Sequence, residues 1–197
     1  MVVCSVDNSL ANKVMTYKLP ITNTTEWGVM KTGAGLTVTA GVVSATLGLL
    51  NYGFFTDGTQ INPVASAVNL VTFNLTGPAN GVSIVAGTQL TVVNAGTYNT
   101  VFTMNVNKTS GGASTITIWM RLNGVDIVGS TQDLILTGAL DTIFVTGNFT
   151  LDIPAGGNVE LCWSSADITM QLLALPPRVA PIRPSGSSAK VTLTRIS

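Results

Sequence analysis

Histidine is missing altogether from this chain of 197 residues. Its absence removes the Ser-His-Asp and Cys-His nucleophile arrangements, imidazole metal ligation and the commonest general base near neutral pH. Cysteine is nearly missing as well. Cys4 and Cys162 are the only two, too few for a Cys-only zinc site. Their spacing demands no disulfide, and the N-terminus, with no basic stretch before an apolar core, reads as lacking a secretory signal. A reducing site of synthesis is therefore expected, with Cys162 a buried thiol and Cys4 incidental.

Charge is scarce. Lys, Arg, Asp and Glu make up 9% of the chain, against roughly 25% in ordinary soluble domains. Nine basic residues balance nine acidic ones. The nearest thing to a basic cluster is Arg178 and Arg183 in a Pro-rich loop, too little to neutralise a run of phosphates. Nucleic acid is not expected as a partner. Mean hydropathy is +0.46, yet no apolar run approaches the roughly 20 residues of a membrane-spanning helix. With 6% aromatics and irregular strand spacing, the girdled strands of a membrane barrel are not expected either. A surface this poor in charge meets water through Thr, Asn, Ser and Gly. Such a surface is cheap to desolvate against another protein, because burying a hydroxyl costs far less than burying a charge.

The acids offer no catalytic constellation. Asp126, Asp133, Asp141, Asp152, Glu160 and Asp167 lie singly in turns and strands, where solvated side chains are expected. Asp126 and Asp133 are one candidate for the paired carboxylates, about 5 to 10 Å apart, that glycoside cleavage needs, but so is any pair of strand-end acids. No closely spaced run of oxygen ligands resembles a calcium loop, and no Gly-x-x-x-x-Gly-Lys-Ser/Thr phosphate loop occurs. No catalytic residue, cofactor or metal site is assigned. The Asn-x-Thr sequons at Asn23, Asn74, Asn107 and Asn148 read as by-products of a chain rich in Asn and Thr.

What the chain does contain is period-two alternation. Tyr98, Phe102, Met104 and Val106 alternate with Asn99, Thr103, Asn105 and Asn107. Ile116, Ile118, Met120 and Leu122 alternate with Thr115, Thr117, Trp119 and Arg121. Ile143, Val145, Phe149, Leu151 and Ile153 do so with Thr142, Thr146, Asn148, Thr150 and Asp152. Val159, Leu161 and Trp163 form another such face, and Val191 and Leu193 a last one. Turn signals separate them: Gly77-Pro78-Ala79-Asn80-Gly81, Ser110-Gly111-Gly112, Asn123-Gly124, Pro154 to Gly157 and the loop Pro176 to Gly186. Half-buried antiparallel strands punctuated in this way predict an all-β chain, an antiparallel jelly-roll β-sandwich over residues 51–197. Residues 32–50, small and interrupted at Gly41, predict a short β linker of two strands. Residues 1–31 hold no sustained period and predict an extended N-terminal arm with one strand.

Four runs carry a family resemblance. They are Ala95-Gly96-Thr97-Tyr98-Asn99-Thr100-Val101-Phe102, then Ile118-Trp119-Met120-Arg121-Leu122-Asn123-Gly124, then Phe149 to Ala155, then Val159-Glu160-Leu161-Cys162-Trp163-Ser164-Ser165. In order and spacing they resemble the jelly-roll modules of the tumour-necrosis-factor and complement globular-head superfamily. They look most like the versions in virion proteins of tailed bacteriophages, cyanophages among them. The resemblance covers about residues 88–197 and leaves out residues 1–50. It implies a jelly roll assembled as a tight homotrimer, and a structural component of a virion rather than an enzyme.

The residues supply a separate reason for self-association. Along 168–175, Ile168, Met170, Leu172 and Ala174 alternate with Thr169, Gln171, Leu173 and Leu175, so both faces carry apolar residues, and Phe144 stands among threonines. A sheet apolar on both faces must be covered on both, by another subunit, by the arm, or in part by nothing. Phe144, Met170, Leu172 and Leu173 are the expected trimer-interface residues. In the arm, Tyr17, Leu19, Trp27 and Met30 are the expected contacts to the major capsid protein or another virion protein, with Lys13, Lys18 and Lys31 at the rim. Together these give a trimeric capsid-decorating, cement or head-fibre protein, made in the host cytoplasm and anchored to the capsid surface by the arm. The alternative is a tail-fibre or receptor-binding module that contacts the host surface.

Overall fold

The computed structural model describes residues 50–197 throughout and, of the first 49, the backbone of four strands. These are β1 (Val3–Val6), β2 (Met15–Lys18), β3 (Leu36–Thr39) and β4 (Val42–Ala45), joined in one antiparallel sheet in the order β1-β2-β4-β3. Two strands thus lie where one was expected in residues 1–31. At four residues each they are too short for an alternation to be legible. The chain divides into two compact units, residues 1–49 and residues 50–197.

The second unit opens with β5 (Tyr52–Asp57), β6 (Asn69–Leu70), β7 (Leu75–Asn80), β8 (Val82–Val85) and β9 (Gln89–Val92). The long strands follow: β10 (Gly96–Lys108), β11 (Ser114–Leu122), β12 (Val125–Asp126), β13 (Gln132–Leu136), β14 (Thr142–Ile153) and β15 (Asn158–Ser164). Then come β16 (Met170–Leu172), β17 (Arg178–Val179), β18 (Ile182–Arg183) and β19 (Ala189–Arg195). A six-stranded sheet runs β14-β10-β19-β5-β7, with β16 also on β10. A seven-stranded sheet runs β12-β11-β15-β9-β8, with β13 also on β11 and β6 also on β15. The chain crosses between the sheets from β9 to β10, from β10 to β11 and from β14 to β15, so the unit is a two-sheet jelly-roll sandwich, all-β and antiparallel.

The expected inner faces meet in one core. Tyr98, Phe102, Met104 and Val106 of β10 and Val191 and Leu193 of β19 line one side. Ile116, Ile118 and Met120 of β11 and Val159, Leu161 and Trp163 of β15 line the other. Each large side chain buried there is worth about 1.5 to 3 kcal/mol. Among the turns, Asn123 and Gly124 both take positive φ and join Leu122 to its partner Val125, which is what a tight hairpin with right-handed strand twist requires.

Two expectations about faces are corrected. Asn105 and Asn107, predicted to meet solvent, are buried because the chain after β16 passes over that end of β10. The Asn105 amide donates to the Leu173 carbonyl at 2.8 Å, and Asn107 donates to Thr142 Oγ1 at 2.9 Å while accepting from Gln171. Asn107 thus has partners for both its amide nitrogen and its oxygen, while the buried Asn105 oxygen has none among the described residues. Asp57, also buried, fastens the irregular stretch after β5: it accepts from the Thr59 amide at 2.6 Å, from Asn74 at 3.0 Å and from the Thr72 hydroxyl.

The tightest packing constraint sits between the two longest strands. Gly147 of β14 lies opposite Phe102 of β10, and a Cβ there would stand 2.3 Å from the Phe102 ring. The ring in turn stacks on Phe149, with centroids 6.2 Å apart. Gly147→Ala should lower the unfolding free energy by about 1–3 kcal/mol in a urea titration, the usual cost of overpacking a filled core. An unchanged midpoint would show that the ring yields without cost.

Candidate functional site

The outer face of the six-stranded sheet is almost free of charge. On β14 it presents Phe144, Thr146, Asn148, Thr150 and Asp152, all exposed. In register beside them β10 offers Asn99, Val101 and Thr103, β19 offers Lys190, Thr192 and Thr194, and β5 offers Tyr52 and Phe54. Hydroxyls, amides and three aromatic rings make up most of this surface, and Phe144 is 71% exposed.

The predicted interface residues part company here. Phe144 lies directly opposite Asn105, whose amide holds the Leu173 carbonyl, so Phe144 and the half-buried Leu173 come to one end of the face. Met170 and Leu172 do not. Both are fully buried in the subunit's own core, paired to Lys108 and Val106 of β10, and present no surface to another copy. The expected 168–175 strand is only Met170–Leu172, after which the chain leaves the ladder. Its two apolar sets therefore have different fates: Met170 and Leu172 fill the core, while Leu173 and Leu175 lie half-buried in the loop beyond. Of the predicted partner contacts, Leu19, Trp27 and Met30 lie outside the described residues. Tyr17 falls in β2, where only the backbone is described.

The outer face of the seven-stranded sheet is polar and built. Trp119 Nε1 and Arg121 Nε, two residues apart on β11, donate to the same Asp126 oxygen at 2.7 and 2.6 Å. The hydrogen bond from Arg121, then that from Trp119, holds the Asp126 carboxyl below the usual carboxylate range. Asp133 accepts from Thr117 Oγ1 at 2.6 Å. Asp126 pairs opposite Arg121 and Asp133 opposite Thr117. Their rows are thus four residues apart along β11, about 13 Å, wider than the spacing glycoside cleavage uses. Beside Thr117 an open depression of about 530 Å³ is lined by Ser66, Ser114, Thr115, Ser164, Ser165 and Asp167 among others.

At this depression lies an ion pair that sequence reasoning missed. Lys108 is fully buried at the end of β10 and pairs with Asp167, whose side chain is 24% exposed. The three ammonium donors are matched one to one, by Asp167 and by the hydroxyls of Ser114 and Thr169 at 3.0 Å each. Asp167 accepts in addition from Ser114 and from the amide and hydroxyl of Thr169, at 2.8 and 2.7 Å for the latter two. Its carboxyl is held well below the usual range, first by Lys108, then by Ser114 and Thr169. Asp167 is therefore not the solvated loop acid that was expected. The one signal in the sequence is that Lys108 is the single basic residue between positions 32 and 120, set in an otherwise uncharged strand. Nothing there marks its partner 59 positions away. Cys162, fully buried opposite Trp119, has its thiol pushed up to about 12 by burial, which removes it as a nucleophile.

No protein-family model matches the chain, and no curated protein does. Among solved structures the chain is similar to the globular domain of zebrafish complement 1qA protein. The two are 14% identical with a TM-score of 0.46, the match covering 76% of this chain and 98% of that one.

The Lys108–Asp167 pair carries a pH-dependence with a definite sign. A carboxyl whose folded pKa is depressed contributes in full above its ordinary value of about 3.9 and loses that contribution as pH falls toward the folded value. Asp167→Asn should cost about 2–4 kcal/mol near neutral pH, somewhat under the cost of breaking a fully buried pair. It should also flatten the fall in stability between about pH 4 and pH 2. Urea midpoints for both chains across that range check this, and parallel curves would contradict it.

Proposed function

We propose that the chain is a non-enzymatic structural component of a virus particle: a homotrimer that decorates the capsid surface and is anchored there by its N-terminal residues. The observation that carries the self-association is the outer face of the six-stranded sheet. It is nearly uncharged and set with the exposed rings of Tyr52, Phe54 and Phe144. Exposed apolar patches on an otherwise polar face mark surfaces that other molecules cover. Burying hydroxyls and amides there costs little compared with burying charge.

The anchoring role rests on the division of the chain. Every described residue of the hydrophobic core belongs to residues 50–197, and that unit is compact by itself. The virion setting, the capsid lattice as partner and synthesis in a host cytoplasm rest on the resemblance of the β10, β11, β14 and β15 runs to phage virion modules.

The second reading, a module that contacts the host surface, has one observation in its favour. The depression beside Thr117 is lined mainly by Ser and Thr hydroxyls, groups that suit a neutral sugar. Asp167 adds little to such a site, because its hydrogen-bonding positions are already filled from within the protein.

Removing residues 1–49 tests the anchor. The remaining chain should unfold cooperatively and still self-associate, yet no longer co-sediment with particles of the virus that carries it. Full occupancy of those particles by the shortened chain would place the anchor in the jelly roll and overturn this part of the proposal.

A further inference from the structure

The depression on the outer face of the seven-stranded sheet combines a fixed shape with polar groups that the protein leaves unused. Residues directly opposite in an antiparallel ladder share a face, so the pairings lay out its floor. Asp133 of β13, Thr117 of β11 and Ser164 of β15 form one row, and Ile135 and Thr115 stand in the next. At a strand spacing of about 4.8 Å the first row spans about 10 Å. None of the five is buried, and Ile135 is 65% exposed.

The wall is held in place from within. Ser66 rests at φ 55°, a left-handed conformation that costs a residue other than glycine, and its amide donates to the Ser165 carbonyl at 2.9 Å. Ser165 Oγ in turn donates to the Thr115 carbonyl at 2.8 Å. The Lys108–Asp167 pair, with Ser114, ties the same loop to β10 and β11. A wall fixed in this way has little left to order when something binds.

The free groups define what fits. Among the described residues the hydroxyls of Ser66, Thr115 and Ser164 have no hydrogen-bond partner. Asp133 has one oxygen on Thr117 and the other open. No basic side chain lines the depression, and the three donors of the nearby Lys108 are already filled. An anionic ligand would meet Asp133 and Asp167 with nothing to offset them. A ligand that is uncharged, rich in hydroxyls and apolar along one side matches every free group. It brings O–H donors for the carboxylate, hydroxyls that both donate and accept, and C–H groups for Ile135. The volume of about 530 Å³ lies within the range of small-molecule sites.

We propose that this depression binds a neutral hexose, the terminal residue of a host-surface glycan. The open Asp133 oxygen accepts from one sugar hydroxyl, Thr115 and Ser164 exchange hydrogen bonds with others, and Ile135 covers the C–H side of the ring. A glycan that continues along β11 reaches Trp119, whose ring is oriented by its bond to Asp126. The site lies on the sheet opposite to the one assigned to self-association, so every copy of an assembled trimer would present it. The inference deepens the host-contact reading given above and rests on it for the source of the sugar.

Saturation-transfer NMR and calorimetry on the full chain test it, with glucose, galactose, mannose and lactose as probes. At least one neutral sugar should bind in the millimolar range, and sialyllactose, which adds a carboxylate, should bind several-fold more weakly than lactose. Ser164→Gln, which fills the floor, should abolish the signal. Asp133→Asn, which keeps the shape but removes the charge, should raise the dissociation constant several-fold, because hydrogen bonds to a charged acceptor are the stronger ones. No transfer to any neutral sugar, or binding that neither variant alters, would overturn the inference. Adhesion to cells that the virus infects, measured beside it, separates the two claims. Adhesion that survives both Ser164→Gln and an excess of free sugar would leave the host-contact reading standing and overturn the sugar site. Sugar binding by a chain that does not adhere would support the site and remove the host surface as the source of its ligand.

Discussion

The jelly roll is organised around β10. Over 13 residues this strand hydrogen-bonds to β14 along nearly its whole length, to β19 from Tyr98 to Met104 and to β16 at its end. Its inner residues Tyr98, Phe102, Met104 and Val106 are all buried, so any slip of register would carry a stack of large apolar side chains to the other face. The Gly147 opposite Phe102 fixes the closest approach between the two longest strands. At the far end of the same strand, Lys108 is the buried charge around which β11 and the Asp167 loop are fastened.

That arrangement determines what is left for the surface. With 9% charged residues, a chain that commits Lys108, Asp167, Arg121 and Asp126 to internal pairs has little charge to spend on keeping other molecules away. The outer face beyond β10 is therefore hydroxyls, amides and rings. Arg178 and Arg183 stand opposite each other on the β17–β18 hairpin, and Asp133 is exposed on β13. Weak electrostatics over most of a surface with a few complementary charges at its margins favours association of defined register over non-specific sticking, because the charges reject wrong alignments.

Much of this was legible in the residues. Alternation named the inner faces of β10, β11, β14, β15 and β19, because a half-buried antiparallel strand writes its burial as period two. Asn123-Gly124 marked its turn through the positive φ it needs. What stayed hidden depends on distant segments. Asn105 and Asn107 look like solvent-facing positions until the chain after Met170 folds across them. Met170 and Leu172 look like an interface because a three-residue strand running into a loop has the same pattern as an eight-residue strand apolar on both faces. Asp167 reads as a lone loop acid because its partner is decided by tertiary structure. The exposure of Phe144 was legible because an aromatic residue in the outward phase of a long strand has no place in the subunit's own core.

The central claim is that the uncharged outer face is covered by further copies of the same chain. Sedimentation equilibrium of the full chain at micromolar concentration, with Phe144→Asp run beside it, tests this most directly. The account predicts a wild-type mass three times the 20.4 kDa of one chain, and a dissociation constant at least about ten-fold higher for the variant, the loss expected when an aromatic interface residue is replaced by a charge. A wild-type mass of 20.4 kDa throughout that range would contradict it.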